Sequence, residues 1–346
     1  MTDNDTSTPL PNAQKHIFRW DLDKTYLETD FDSVRELVRT FLQRPEEKTN
    51  VPGADALLRE LLYPEGREHR LVSFISGSPQ QMRAVLEEKF RIDDIEPDFF
   101  ILKPNLENLF RGRFRAIRGQ IGYKLKALLE VRLKSPLANE TLFGDDAEQD
   151  ALIYCLYDDI VAGRVGRAEV AEILKKGRVY PDVIAQILQL IRENTIAPTV
   201  SRVFINLNRR TPTARFSIFG ERLIPIHNYF QASLVLFADE ALTADSLLRI
   251  ALDMNQRHRY SASMLANSFQ DLVRRQRISS SVARRLADQL MASASALAEA
   301  TSSELRPDVL TREFTSRLIA ISQNAPLLTP SPRIVPDYAK LILKHR

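Results

Sequence analysis

In this 346-residue chain the residues best suited to chemistry fall at the ends of short apolar runs. His16–Asp23 reads HIFRWDLD, where apolar Ile17, Phe18, Trp20 and Leu22 end abruptly in carboxylates, with Lys24 and Thr25 just beyond. Side chains alternate along an extended segment, so Asp21 and Asp23 point to the same side. Paired carboxylates at a strand end can bind a hard cation, and a carboxylate can accept a phosphoryl group. The run Arg70–Ile75 leads into Ser76, a hydroxyl able to donate to a phosphate oxygen, and then Gly77. Glu140–Phe143 stops at Gly144-Asp145-Asp146, with Asp150 close behind. Between these runs Lys124 opens a helical pattern, where its charge would offset that of a phosphate. Lys126 competes for that role.

Such residues act together only if the fold brings their strand ends to one edge. Strands are expected at His16–Asp23, Arg70–Ile75, Asp98–Leu102 and Glu140–Phe143. Helices are expected over Ser33–Leu42, Ala54–Leu62, Gln80–Phe90 and Tyr123–Leu133. Strands alternating with helices imply right-handed crossovers and a largely parallel sheet, whose ligands sit beyond the carboxyl ends of the strands. The expected fold class is therefore α/β: after a polar tail at 1–14, a Rossmann-like parallel sheet flanked by helices occupies 15–165. From 166 to 346 the spacing predicts a mainly helical, arginine-rich C-terminal domain, with helices such as Pro181–Asn194, Thr243–Gln256 and Ser261–Gln276. Arg202–Asn208 and Arg215–Gly220 interrupt it with strand-like patterns. Leu223–Ala238 reads as a buried helix, too short and too polar to span a bilayer.

The order Asp-x-Asp-x-Thr, strand plus Ser, Lys, then Gly-Asp-Asp-x-x-x-Asp resembles the four motifs of the haloacid dehalogenase superfamily over roughly residues 15–165. Two stretches, Phe74-Ile75-Ser76-Gly77-Ser78-Pro79 and Phe143–Tyr154, look like those of its actin-patch-type phosphatidate phosphatases. Asp146 and Ala147 stand where that branch has Ser-Gly, and Lys24 where a Gly is common. The resemblance implies a magnesium-dependent phosphatase, and the spacings from Thr25 to Ser76 and from Ser76 to Lys124 leave no room for a large cap. Asp21 would be nucleophile and Asp23 acid and base, with Thr25, Ser76, Gly77 and Lys124 binding phosphate. Asp21, Asp23 and Asp145, supported by Asp146 or Asp150, would hold Mg2+.

Arg111, Arg113 and Arg115 alternate with smaller residues between the Ser76 and Lys124 motifs, and on an extended segment all three would share one face. Arginine binds phosphate bidentately, so this face is a candidate substrate contact; a charged edge strand is the other reading. Charge is also uneven between the halves. Residues 1–160 hold 22 Lys/Arg against 29 Asp/Glu, and the remainder 26 against 16, with 22 of those 26 being Arg. The basic half is expected to attract a phosphate ester, a membrane surface, nucleic acid or the acidic half itself.

Cys155 is the only cysteine, which excludes an intrachain disulfide and a cysteine metal cluster. The polar, acidic first ten residues lack a secretory pattern, so a cytoplasmic location is expected. His16, His69, His227, His258 and His345 show no metal-ligand spacing, which sets a zinc enzyme aside. The expected substrate is a phosphate monoester on a lipid, a macromolecule or a small molecule, with peripheral membrane contact as one consequence. The alternatives are a degenerate phosphate-binding scaffold and a phosphatase of nucleic-acid ends.

Overall fold

The computed structural model describes residues 15–29, 44–62, 70–103, 120–135, 137–279, 281–290, 312, 314–317, 319–320 and 334–344. The helix expected over Ser33–Leu42 and the arginine-bearing segment Arg111–Arg115 lie outside these residues.

Six parallel strands form one sheet: β1 (His16–Trp20), β2 (Arg70–Pro79), β3 (Phe99–Lys103), β4 (Asn139–Asp145), β5 (Val200–Asn206) and β6 (Leu223–Ile226). Their spatial order is β3-β2-β1-β4-β5-β6. The chain winds outward from β1 in one direction, then returns to β4 on its other side. That reversal opens a crevice between the carboxyl ends of β1 and β4, the usual ligand position in an open parallel sheet. Trp20 pairs in register with Phe74 and with Phe143, and Phe143 with Phe204. One row of aromatic rings thus crosses four strands, with Trp20 stacked on Phe143 at 4.0 Å and Phe143 on Phe204 at 5.2 Å. Asp21 follows this row directly, so its backbone rests on a rigid, dry support.

Alternation sends the rest of each strand to two apolar cores. Trp20, Phe74 and Phe143 face a core built with α1 (Ala54–Leu62), α2 (Arg83–Ile92), α7 (Tyr229–Ala238), α8 (Ala244–His258) and α9 (Ala262–Arg274). Ile75, Leu142 and Val203 face the other, with α3 (Gln120–Lys134), α4 (Asp150–Val161), α5 (Arg167–Lys176) and α6 (Pro181–Glu193). A final helix, Tyr338–Lys344, joins this second layer through buried Tyr338 and Ile342. Among the described residues no helix is long and apolar enough to cross a membrane.

Beyond residue 165 the strand-like pattern from Arg202 does form a strand, but the extent of the sheet, Arg215–Gly220 and the start of Leu223–Ala238 differ from the sequence pattern. Residues 202–206 pair with β4 as part of β5, so the sheet continues into the second half of the chain. Arg215–Gly220 belongs not to a strand but largely to a 3-10 helix, Thr213–Phe219. The last strand is instead Leu223–Ile226, at the start of the segment expected to be one buried helix. Pro225 removes a backbone donor, which an edge strand tolerates, and Asn228 then starts α7 by accepting from the Gln231 amide at 3.2 Å.

Candidate active site

β1 continues as extended chain for one residue past Trp20, because the Asp21 amide donates to the Phe143 carbonyl at 2.9 Å. The chain then folds into a tight loop in which Tyr26 and Leu27 both donate to the Leu22 carbonyl. Lys24 takes the left-handed conformation at φ 60°, which glycine adopts at lower cost. The loop is held from outside as well: Asn206 at the end of β5 donates to the Lys24 carbonyl at 2.9 Å, and the Tyr229 hydroxyl to the Thr25 carbonyl at 2.7 Å.

The loop aims two carboxylates at different partners. Asp21 is buried, with Lys124 Nζ 2.8 Å from its Oδ1 and the Thr25 hydroxyl donating to Oδ2 at 3.4 Å. Asp23 accepts from the Ser78 hydroxyl at 2.7 Å and the Ser76 hydroxyl at 3.2 Å, both on Oδ2. Gly77 lies beside Gln120, whose side-chain nitrogen would stand 3.6 Å from a Cβ at that position.

Lys124 reaches the site from the first turns of α3 and is fully buried. Its ammonium contacts Asp21, Glu148 at 2.8 Å and Asp150 at 2.5 Å. Lys126 points elsewhere, 3.6 Å from Glu130 one helical turn on. Asp145 ends β4, and its Oδ1 accepts from the amides of Ala147 at 2.5 Å and Glu148 at 3.0 Å. Its Oδ2 is buried with no partner. Asp150 begins α4 and packs so close to Gly144 that a Cβ there would lie 2.6 Å from it.

Asp21, Asp145, Glu148 and Asp150 form the group, each offering one oxygen within 4.8 Å of the others. Asp23, also expected to hold the cation, is not among them, and neither is Asp146. Its two oxygens accept from the amides of Arg209 and Thr211, so it ties the β4 loop to the loop after β5. Glu148 takes the place that sequence position offered to Asp146, and Gln120 steadies it with a 2.8 Å hydrogen bond. Ser78 is the other participant not singled out as a site residue.

The charges explain the proton preferences. Burial, then the carboxylates of Asp150, Glu148 and Asp145, raises the pKa of Asp21 well above the ordinary range, although Lys124 opposes this. Asp145 is raised in the same way, by burial and then by Asp150 and Glu148. Asp23 is raised mainly by burial, against the hydrogen bonds from Ser78 and Ser76. Burial disfavours the Lys124 ammonium, but Asp150, Asp21 and Glu148 outweigh it and keep the group charged. Four carboxylates around one ammonium leave excess negative charge. An all-oxygen donor set of this kind, with the orphaned Oδ2 of Asp145, suits a hard divalent cation.

No curated protein and no solved structure matches the chain. One family model does, that of the phosphatidate phosphatase APP1 catalytic domain, over residues 20–167. The matched stretch begins just before Asp21 and contains Asp23, Ser76, Lys124, Asp145 and Asp150. Residues 20–167 are thus similar to the catalytic domain of the phosphatidate phosphatase APP1, the branch to which the sequence motifs pointed.

Proposed function

We propose that the chain is a Mg2+-dependent phosphatase that cleaves a lipid phosphate monoester, phosphatidate first among the candidates, through a phosphoryl-aspartate on Asp21. The observation that carries this reading is the division of labour between two carboxylates two residues apart. Asp21 lies against a buried ammonium and a carboxylate cluster, whereas Asp23 receives the hydroxyls of Ser76 and Ser78. The match to the APP1 catalytic domain supports the phosphatase reading, and the phosphatidate that this family is named for motivates the lipid substrate.

In the proposed reaction an Asp21 oxygen attacks phosphorus while the bond to the leaving oxygen breaks, and Asp23 delivers its proton to that oxygen. A water then attacks the aspartyl phosphate and gives its proton to Asp23, which releases inorganic phosphate and restores Asp21. The burial that raises the Asp23 pKa keeps a proton available for the first step. Its Oδ2 accepts both serine hydroxyls, which assigns the proton to Oδ1. Asp21, Asp145, Glu148 and Asp150 would hold the magnesium ion, which when bound offsets charge on the transferring phosphoryl group. Lys124 supplies further positive charge from the protein itself.

The test is phosphate release from phosphatidate in detergent micelles, with a small aryl phosphate in parallel. Wild type should require Mg2+ and lose activity to a chelator. Asp21→Asn should abolish turnover, and Asp23→Asn should lower it by about 10²–10⁴-fold. Activity surviving Asp21→Asn would remove the covalent route. Turnover of the aryl phosphate without phosphatidate would remove the lipid assignment.

A further inference from the structure

A second group of donors lies away from the sheet edge, where α1 packs on α8. Asp55, in the first turn of α1, joins Asp253 and His258, both near the end of α8; each offers one donor atom within 4.8 Å of the others. The Asp55 side chain is 1% exposed. Its Oδ2 accepts from Arg59 at 3.1 Å and Arg257 at 2.5 Å, whereas its Oδ1 is buried without a partner. Asp253 repeats the pattern. Its Oδ1 accepts from Arg59 at 3.4 Å and Arg257 at 3.1 Å, and its Oδ2 is buried and unpartnered. Nε2 of His258 is buried and unpartnered too.

Three orphaned polar atoms in one small group call for a physical reason, since each buried, unmet group is destabilising. Hydrogen bonding among themselves does not supply one, because no such bond forms. A ligating carboxylate typically has its other oxygen hydrogen-bonded, which fixes its direction. Arg59 and Arg257 do this for both aspartates. The arginines also offset the carboxylate charge, so an ion would be held here by directed bonds more than by net charge. An imidazole with two carboxylates suits a first-row transition ion better than Mg2+. His258 is the last residue of α8, where the partial negative charge of a helix end favours a cation.

We propose that Asp55, Asp253 and His258 form a second metal site, for zinc(II) or a similar first-row ion, that clamps α1 to α8. The site joins residues nearly two hundred positions apart, and it does not depend on the chemistry assigned to Asp21.

The experiment uses the full chain, stripped with a chelator, reloaded with zinc, desalted and measured for bound metal and thermal midpoint. Wild type should retain zinc and melt higher than the stripped protein. His258→Gln and Asp253→Asn should each bind zinc at least about 10-fold more weakly and lose the zinc-dependent rise. Asp145→Asn, which alters only the sheet-edge cluster, should keep both. Zinc binding unchanged in His258→Gln, or lost in Asp145→Asn instead, would overturn the proposal. Should the variants fail to fold, the wild type with its sheet-edge cluster saturated by Mg2+ must still take up zinc and melt higher; no uptake under that condition would overturn it as well.

Discussion

The Asp145 carboxylate shows most directly what the cluster lacks when no cation is present. Its folded pKa is raised by burial and by Asp150 and Glu148. A raised group stabilises the fold below its unfolded pKa, and that contribution is lost as pH rises through the folded value. Metal-free protein should therefore lose stability as pH climbs from the acid range towards neutrality. Asp145→Asn mimics the protonated form. It should melt above wild type at pH 8 in chelator (roughly 1–2 °C per kcal/mol for a chain of this size), and the gap should shrink towards pH 4. Mg2+ should raise the wild-type midpoint and leave the variant's nearly unmoved. An unchanged midpoint in chelator at both pH values would contradict the electrostatic picture. At this level Asp21, Asp23, Ser76, Lys124, Asp145 and Asp150 were legible in the sequence because each directly follows or opens a recognisable element. Asp146 and Glu148 were not, because both lie in one short loop. Only the backbone path shows that Asp146 faces the amides of Arg209 and Thr211 while Glu148 faces Lys124.

Secondary-structure elements set how closely these side chains approach. β4 and α4 meet at Gly144, where a Cβ would stand 2.6 Å from Asp150 and 2.8 Å from Tyr154. Gly144→Ala should push Asp150 away from Lys124 and cost about 1–3 kcal/mol, the range for overpacking, with loss of activity exceeding loss of fold. Urea unfolding beside phosphate release would separate the two effects. β1 carries a pH dependence of its own. His16 stacks on Phe18 at 4.4 Å and lies 2.9 Å from the Thr141 hydroxyl. Burial, then Arg70, lowers its pKa to about 4. A depressed histidine stabilises the fold above its unfolded pKa of 6.5, and that stability is lost as pH falls towards about 4. The ceiling is about 3 kcal/mol, less for the part of the ring that meets water. His16→Gln should flatten the decline of the thermal midpoint between those two values; an identical decline would place it elsewhere. The central strands were readable as apolar runs ending in polar residues. β6 was not, because Leu223–Ile226 merges without a break into the apolar α7, and only pairing with β5 separates them.

Across the chain, charge that looked like a surface for an outside partner is partly spent inside. Arg249 meets Glu60 through two 2.7 Å hydrogen bonds, Arg257 meets Asp55, and Arg222 meets Asp158 and Asp159. The basic second half therefore packs onto the acidic first half, one of the attractions that the charge asymmetry anticipated. Arg222 matters most because it is buried and also donates to the Tyr338 hydroxyl, which ties the final helix to α4 and β6. Arg222→Met should cost about 3–5 kcal/mol, since it leaves two buried carboxylates short of a partner. Arg164 also meets Asp158 at 2.9 Å and Asp159 at 2.5 Å, and a change below about 1 kcal/mol in urea unfolding would show that it suffices alone. The Asp55–Asp253–His258 group was invisible to a search for ligand spacing, because α1 and α8 meet only through the fold.

The most direct test of the reading of Asp21 is to catch the phosphoryl group on it. Protein is mixed with phosphatidate and Mg2+, quenched in acid within milliseconds, digested, and sequenced by mass spectrometry. The predicted result is one phosphate on Asp21, present in wild type, accumulating in Asp23→Asn and missing from Asp21→Asn. Steady release of phosphate with no phosphorylated Asp21 in either active protein would contradict it.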